Sequence, residues 1–276
     1  MRLFCLIATL CCLFSFANNQ AFAQQVRKEY RDAMVWPEAE LIYITSERSF
    51  LTAGSQFRHN TDENSGEADP DKPWSAFQEI RLNASFQYEF PEQWRVGFGQ
   101  RISFEENAHR WFSMLNLRHV GKIGSVSFIK RGMLEHIRTR NVPEPGPNQL
   151  PTEPLNRARL SVALERTFVV AGNTLVPDIE YEVLWELGQE TENLPNPPRR
   201  IDRTRLRAGL SYYINSRSSI SAYFMRETNY YNFLEQFDAE GNSVRGGKTN
   251  IIVPIYGLEY RYNIKLTDQE PVKYRR

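Results

Sequence analysis

Residues 75–89 read SAFQEIRLNASFQYE and alternate between apolar and polar side chains along almost their whole length. One parity contains Ile80, Leu82, Ala84, Phe86 and Tyr88, and the other contains Glu79, Arg81, Asn83, Ser85, Gln87 and Glu89. Successive side chains of a β-strand point to opposite faces, so this stretch is predicted to form a strand. One of its faces must lie against an apolar medium and the other against a polar one.

The same two-residue period returns in ten further segments between residues 36 and 264. The segments run for roughly 10 to 15 residues, near the length that a tilted strand needs to cross a hydrocarbon layer. Long connections rich in Asn, Asp, Gly or Pro, at 60–74, 139–154, 188–200 and 232–249, alternate with short ones, and only the short connection at 107–109 breaks this rule. Because such barrels place short turns in the periplasm and long loops outside, the sequence predicts an all-β fold, an antiparallel up-and-down transmembrane β-barrel in a bacterial outer membrane.

The strand count is predicted to be about ten to twelve. Eleven segments are visible, but single-chain bacterial barrels use even numbers, so twelve strands are favoured. Residues 24–35 are predicted to be an N-terminal segment, which either adds the extra strand or threads the lumen. The barrel itself is assigned to residues 36–265, and residues 266–276 to a C-terminal tail.

Residues 1–23 have the features of a cleaved signal peptide. Arg2 precedes an apolar run from Leu3 to Phe16, and Ala21-Phe22-Ala23 forms a small-x-small cleavage site. All three cysteines lie within this segment, so the mature chain is predicted to contain no disulfide and no thiolate nucleophile. Cleavage would leave 33 basic and 33 acidic residues, and without a basic surplus no nucleic-acid partner is expected.

The polar parity carries arginine and glutamate in nearly equal numbers. Neighbouring strands can pair such charges across the sheet, so these residues are predicted to form a charge ladder that lines a narrow lumen. A path for a polar substrate is the alternative. The ladder comprises Arg81, Arg95, Arg101, Arg157, Arg159, Arg203, Arg205, Arg207, Glu79, Glu135, Glu180, Glu182, Glu227 and Glu259.

Two hairpins give testable registers. A turn at 91–93 predicts that Leu82 faces Ile102 and that Glu89 meets Arg95. A turn at 216–218 predicts that Arg207 meets Glu227.

The principal alternative is an outer-membrane lipid hydrolase, of the phospholipase or lipid A deacylase type. Its candidate base is His136, which lies on the apolar parity near the long-loop end of its segment. A turn at 119–123 would place His136 opposite about Asn107, with no serine across from it. We therefore predict no catalytic site, and the histidine spacing gives no reason to expect a metal or another cofactor.

The last segment contains the sequence YGLEYRY, in which Gly257, Tyr260 and Tyr262 resemble the Gly-x-x-aromatic-x-aromatic signal of final barrel strands. That resemblance implies recognition by the outer-membrane assembly machinery. The other expected partners are outer-membrane lipids and lipopolysaccharide, and the barrel is expected to be a monomer.

Three short-turn hairpins, 41–58, 84–101 and 210–227, share one plan, in which two alternating segments flank a polar turn and a charged residue stands near the far end. Together with Trp36 and the Arg203-x-Arg205-x-Arg207 repeat, this plan resembles an uncharacterised bacterial outer-membrane β-barrel family, domain of unknown function 2490. The resemblance covers residues 36–264. It implies the barrel fold and supplies no known catalytic residue.

Overall fold

The computed structural model describes residues 26–61, 78–105, 108–141, 153–188, 199, 201–237 and 243–265. Among them no helix is long and apolar enough to span a membrane. The signal peptide and the C-terminal tail lie outside the described residues. The strands of the described part are β1 (Arg27–Tyr30), β2 (Met34–Ile44), β3 (Ser49–Asn60), β4 (Glu79–Glu89), β5 (Trp94–Glu105), β6 (Ala108–Ile123), β7 (Val126–Asn141), β8 (Leu155–Arg166), β9 (Phe168–Val170), β10 (Asn173–Leu187), β11 (Arg203–Tyr213), β12 (Ser218–Phe237) and β13 (Ser243–Lys265).

Eleven of these strands form a closed wall. From β2 onwards each pairs with the next in antiparallel fashion, except that β8 pairs directly with β10 while the short β9 only extends that hairpin. The wall closes where β13 pairs with β2 in parallel, from Ile255 beside Met34 to Lys265 beside Ile44. The predicted fold class is confirmed, and the strand count falls within the predicted ten to twelve.

The favoured count of twelve is one too high. The N-terminal residues do form a strand, but β1 pairs in parallel with β13, from Arg27 beside Thr249 to Tyr30 beside Ile252. Strand β1 therefore lies along the same edge of β13 as β2 does, and it extends the parallel contact that closes the barrel. An odd number of strands can close because the first and last strands run in the same direction and pair in parallel.

The two faces of the wall follow the parity of the sequence. In β4, Leu82 and Phe86 are each 47% exposed on the outside, whereas Arg81, Ser85 and Gln87 point inward. The same outward apolar surface continues around the barrel through Phe98, Trp111, Leu115, Leu134, Leu160, Val162, Leu164, Ile179, Leu206, Leu210, Phe224, Tyr256 and Leu258.

One of the two predicted hairpin registers is confirmed and the other is wrong by two residues. Leu82 faces Ile102 and Glu89 faces Arg95, as expected. In the β11–β12 hairpin the turn occupies residues 214–217, closed by a hydrogen bond from the Ile214 amide to the Ser218 carbonyl. Arg205, rather than Arg207, therefore faces Glu227.

A larger register correction affects β6 and β7. Their turn consists of residues 124–125, because Gly124 adopts a φ of +61°, which only glycine reaches without strain. The strands extend to Ile123 and Val126, beyond the predicted turn at 119–123. As a result His136 lies opposite Ser113 and not opposite Asn107, so the sequence argument that no serine faces His136 was wrong.

The predicted long loop at 232–249 is also shorter than expected. Strand β12 continues to Phe237, and β13 begins at Ser243. A register shift between Phe233 and Gln236 lets this hairpin continue beyond the segments that show clear alternation.

Candidate functional site

The charged residues predicted from the inward parity line the lumen. All fourteen lie on the inner wall, and each makes at least one ion pair. The sequence could place them on one face, but only the barrel brings strands that are distant in sequence within contact distance.

Eight of these residues form a continuous chain of ion pairs, which we call the lumen girdle. It consists of Arg101, Glu135, Arg157, Arg159, Glu182, Arg203, Arg205 and Glu227. Arg159 bridges Glu135 and Glu182 at 3.0 and 2.6 Å, and Arg205 bridges Glu182 and Glu227 at 3.0 and 2.8 Å. The girdle thus connects β5, β7, β8, β10, β11 and β12.

Glu135 is the most deeply buried member of the girdle. Its side chain has no solvent exposure, and its carboxylate lies 2.6 Å from Arg157, 3.0 Å from Arg159 and 3.6 Å from Arg101. A buried carboxylate is costly unless it is paired and hydrogen-bonded, and these three arginines supply that compensation. The register of β7 and β8 places Arg157 directly across from Glu135, so this ion pair follows from the pairing of the two strands.

A second ionic cluster lies on β3 and β4, at the same end of the barrel. Glu79 pairs with Arg58 at 2.9 Å, and also contacts Arg81 and the Ser103 hydroxyl. The Arg58 guanidinium stacks over the Trp36 ring at 3.8 Å, and the Arg205 guanidinium lies 5.9 Å from the centre of the same ring.

Aromatic rings lie beside both ionic clusters. Trp36 connects the β3–β4 cluster to Arg205, and Phe112 on β6 packs beside Arg101 and Arg157. The girdle carboxylates at Glu182 and Glu227 are less than a tenth exposed. These side chains therefore pack closely together on the inner wall near the long-loop end.

A cavity of about 400 Å³ lies on the short-turn side of the girdle. Its wall carries eight arginines and seven carboxylates, so it is polar and almost neutral in charge. Arg207 with Asp178 at 3.3 Å and Arg261 with Glu40 at 2.5 Å are two of the ion pairs on this wall. Such a cavity can hold water or a small polar solute and offers both signs of charge.

Several residues that line the lumen were not predicted from the sequence. Arg58 stacks on Trp36, while the Tyr223 hydroxyl donates a hydrogen bond to Glu38. Arg58 and Glu38 lie on the inward parity of their strands, so extending the alternation would have found them. The Tyr223 contact depends on the pairing of β12, β13 and β2, which no local pattern reveals.

The three residues of the predicted assembly signal lie on β13. Gly257 faces inward beneath the Tyr223 ring, which occupies the space that a Cβ atom would need. Tyr260 is 43% exposed on the outside, and Tyr262 lies on the same parity, three residues before the last residue of the strand, Lys265. Recognition by the assembly machinery stays a prediction.

No group of three or more His, Cys, Asp or Glu side chains in the described part of the chain could hold a metal ion. The expectation that the barrel has no catalytic site also stays a prediction. One argument for it, that no serine faces His136, is wrong because the β6–β7 register places Ser113 there.

Three solved structures show similarity to the barrel at low sequence identity. The β-domain of the Bordetella autotransporter BrkA matches with a TM-score of 0.43 and 11% identity, covering 79% of this chain and 85% of that one. The NanC porin matches with a TM-score of 0.42 and 11% identity, covering 85% of this chain and 100% of that one. The outer-membrane expressed OmpT of Vibrio cholerae matches with a TM-score of 0.31 and 12% identity, covering 78% and 64%.

No curated protein shows significant sequence similarity to this chain. A family model does match, over residues 33–236, which is most of the barrel. The match begins three residues before the similarity that the hairpins and Trp36 indicated, and it ends within β12. The resemblance seen in the sequence is thereby confirmed: the chain belongs to the family described as "Protein of unknown function (DUF2490)".

Proposed function

We propose that this chain is a bacterial outer-membrane β-barrel with a structural or narrow transport role. The apolar outer surface fits contact with membrane lipid and lipopolysaccharide, because leucine, valine and aromatic side chains cover it on every strand pair from β4 to β13. The alternation of short turns and long loops orients the long-loop end toward the cell exterior.

The lumen girdle is the observation that carries this proposal. A wide porin needs an unobstructed bore, whereas here ion pairs as short as 2.6 Å cross-link six strands at one level. The balanced charges also argue against selection of one ion sign. The cavity below the girdle would then be a vestibule open toward the short-turn end.

Planar-bilayer conductance tests this proposal. We expect the native barrel to show a small conductance with weak ion selectivity. Replacing Arg203, Arg205 and Arg207 by serine removes both ion-pair arginines of Glu227, the Arg207 pair of Asp178 and one of the two arginine partners of Glu182, so conductance should rise and cations should become favoured.

The matched control is Arg226→Ser, since Arg226 lies on β12 but points outward beside Leu206. This variant should conduct like the native barrel. A large, stable native conductance that the triple replacement leaves unchanged would show that the girdle does not obstruct the bore and would overturn the proposal.

A further inference from the structure

A row of four polar side chains lies on the largely apolar outer wall. Gln100 on β5 faces Ser113 on β6, Ser113 faces His136 on β7, and His136 faces Asn156 on β8. All four lie on the outward parity: Phe98, Leu115 and Leu134, two residues away on β5, β6 and β7, and Leu160, four residues from Asn156 on β8, are all more than half exposed.

Hydrogen bonds fix the protonation pattern of His136. Its Nδ1 lies 2.9 Å from the amide oxygen Oδ1 of Asn156, which can only accept, so Nδ1 carries the hydrogen and donates. Its Nε2 accepts a hydrogen bond from the Arg138 Nε–H at 3.2 Å. With Nδ1 donating to Asn156, the lone pair of the ring lies on Nε2, which is the atom that would take a proton.

Ser113 completes the order of groups that serine hydrolases use, namely nucleophile, base and orienting group. It stands directly across from His136, where side chains of adjacent strands lie about 4.5 to 5.5 Å apart at Cβ. In the resting structure the Ser113 hydroxyl bonds instead to the Gln100 amide, at 3.1 and 3.2 Å. Nucleophile and base contacts are often loose before substrate binds.

The surroundings of the row fit a membrane lipid. Toward the long-loop end lie Arg138, opposite Trp111, and Arg140, opposite His109, all on the outward parity. Toward the middle of the barrel lie the exposed Leu115, Leu134 and Leu160. A lipid phosphate can pair with the arginines while its acyl chains cover the leucines, which brings the acyl ester to the level of Ser113. A phosphate that binds Arg138 would also release Nε2 of His136.

We propose that Ser113, His136 and Asn156 form an outer-wall site that hydrolyses a fatty acyl ester of a phosphate-bearing membrane lipid. Ser113 Oγ attacks the ester carbonyl while its proton moves to His136 Nε2. The ester C–O bond breaks, and the leaving alcohol takes that proton. Water then attacks the acyl-serine, with His136 accepting its proton and returning one to Ser113, so that fatty acid and deacylated lipid are the products. Asn156 is a positioning residue that orients the ring.

This site depends on the proposed membrane location and not on the lumen function. The test is fatty-acid release by the purified, folded full-length barrel from phosphatidylglycerol in mixed micelles and, in a separate arm, from lipopolysaccharide. The two arms identify which lipid supplies the ester. Ser113→Ala and His136→Ala should each reduce release by at least about 100-fold.

Variants of Asn156 distinguish a positioning role in catalysis from a purely structural role. Asn156→Asp keeps an acceptor for the Nδ1 hydrogen and should retain most of the activity, whereas Asn156→Ala should lose it. Controls are Ser55→Ala, an outward serine that faces Ala39 and Leu82, and His119→Ala, an outward histidine that packs on Trp94. Both should hydrolyse like the native barrel.

Heat-modifiable gel migration confirms folding of each variant before assay. Native barrel that releases no fatty acid from either lipid, or release that persists in Ser113→Ala, would overturn the site. Since the conductance measurement does not involve these residues, that outcome leaves the lumen proposal standing, and a failed lumen proposal leaves this one standing.

Discussion

Glu135 shows at the scale of one residue how the barrel tolerates charge inside. Its carboxylate has three arginine neighbours and no contact with solvent. The attraction within this group offsets the cost of removing four charges from water, but only while all partners are present. A single missing carboxylate would leave three guanidinium groups facing one another in a region of low dielectric.

Glu135→Gln is therefore expected to lower the free energy of unfolding by about 3 to 5 kcal/mol, as removal of one partner from a buried ion pair does. Glu89→Gln is the comparison, because Glu89 is 41% exposed and has one ion-pair partner, Arg95, in the described part of the chain. That change should cost under about 1 kcal/mol. Urea unfolding monitored by tryptophan fluorescence measures both, and equal losses would mean that burial does not strengthen the Glu135 pairs.

At the scale of the element, β4 illustrates how one strand separates two media. Leu82 lies near its middle and faces outward, paired with Ser55 and Ile102, while Ser85 faces inward and bonds to Thr52 at 2.7 Å. Within the strand, the alternation of side chains alone determines which face is apolar and which is polar. A shift of one residue would exchange them and place Arg81 in the outer medium.

Leu82→Arg should destabilise the barrel by about 2 to 4 kcal/mol if the outer face meets the middle of a bilayer. Ser85→Arg should cost less, since Ser85 lines the polar cavity of about 400 Å³ and the new guanidinium can reach its carboxylates. Unfolding from lipid vesicles, followed by the heat-modifiable gel shift, compares the two. Equal tolerance would contradict the assignment of faces.

At the scale of the whole molecule, the parallel seam between β13 and β2 turns an open sheet into a barrel. This contact joins residues more than 200 positions apart, and the hydrogen bond network of the seam is reinforced inside by Arg261 with Glu40. The parallel direction of the seam is what permits an odd number of strands.

A disulfide across this seam tests the closure. The three native cysteines all lie within the first twelve residues, so once these three are changed to alanine an Ala39→Cys, Tyr260→Cys pair can bond only to itself. These positions are register partners on adjacent strands, about 5 Å apart, and oxidation should cross-link them in the folded barrel.

The control places the second cysteine four residues away, as Ala39→Cys with Tyr256→Cys, where the separation is about 13 Å and no bond should form. The cross-link appears as a change in migration on a non-reducing gel of denatured protein. A twelfth strand inserted between β13 and β2 would prevent it in the first pair as well.

The sequence by itself determined the two faces, the fourteen inward charges and the general order of short turns and long loops, although not the bounds of each loop. These features depend only on the two-residue period of a strand, which each local stretch of sequence records. Local turn chemistry also set one register, that of β4 with β5, in which Leu82 faces Ile102.

Only the tertiary structure decided the features that depend on which strands meet. Gly124 tightened the β6–β7 turn and so brought Ser113 opposite His136, and closure of the wall placed β1 and β2 on the same edge of β13. The lumen girdle belongs to this class as well, because Glu182 meets Arg159 and Arg205 from two other strands. A period of two specifies the face of each residue, but the identity of its neighbour follows from register and closure, which are properties of the assembled barrel.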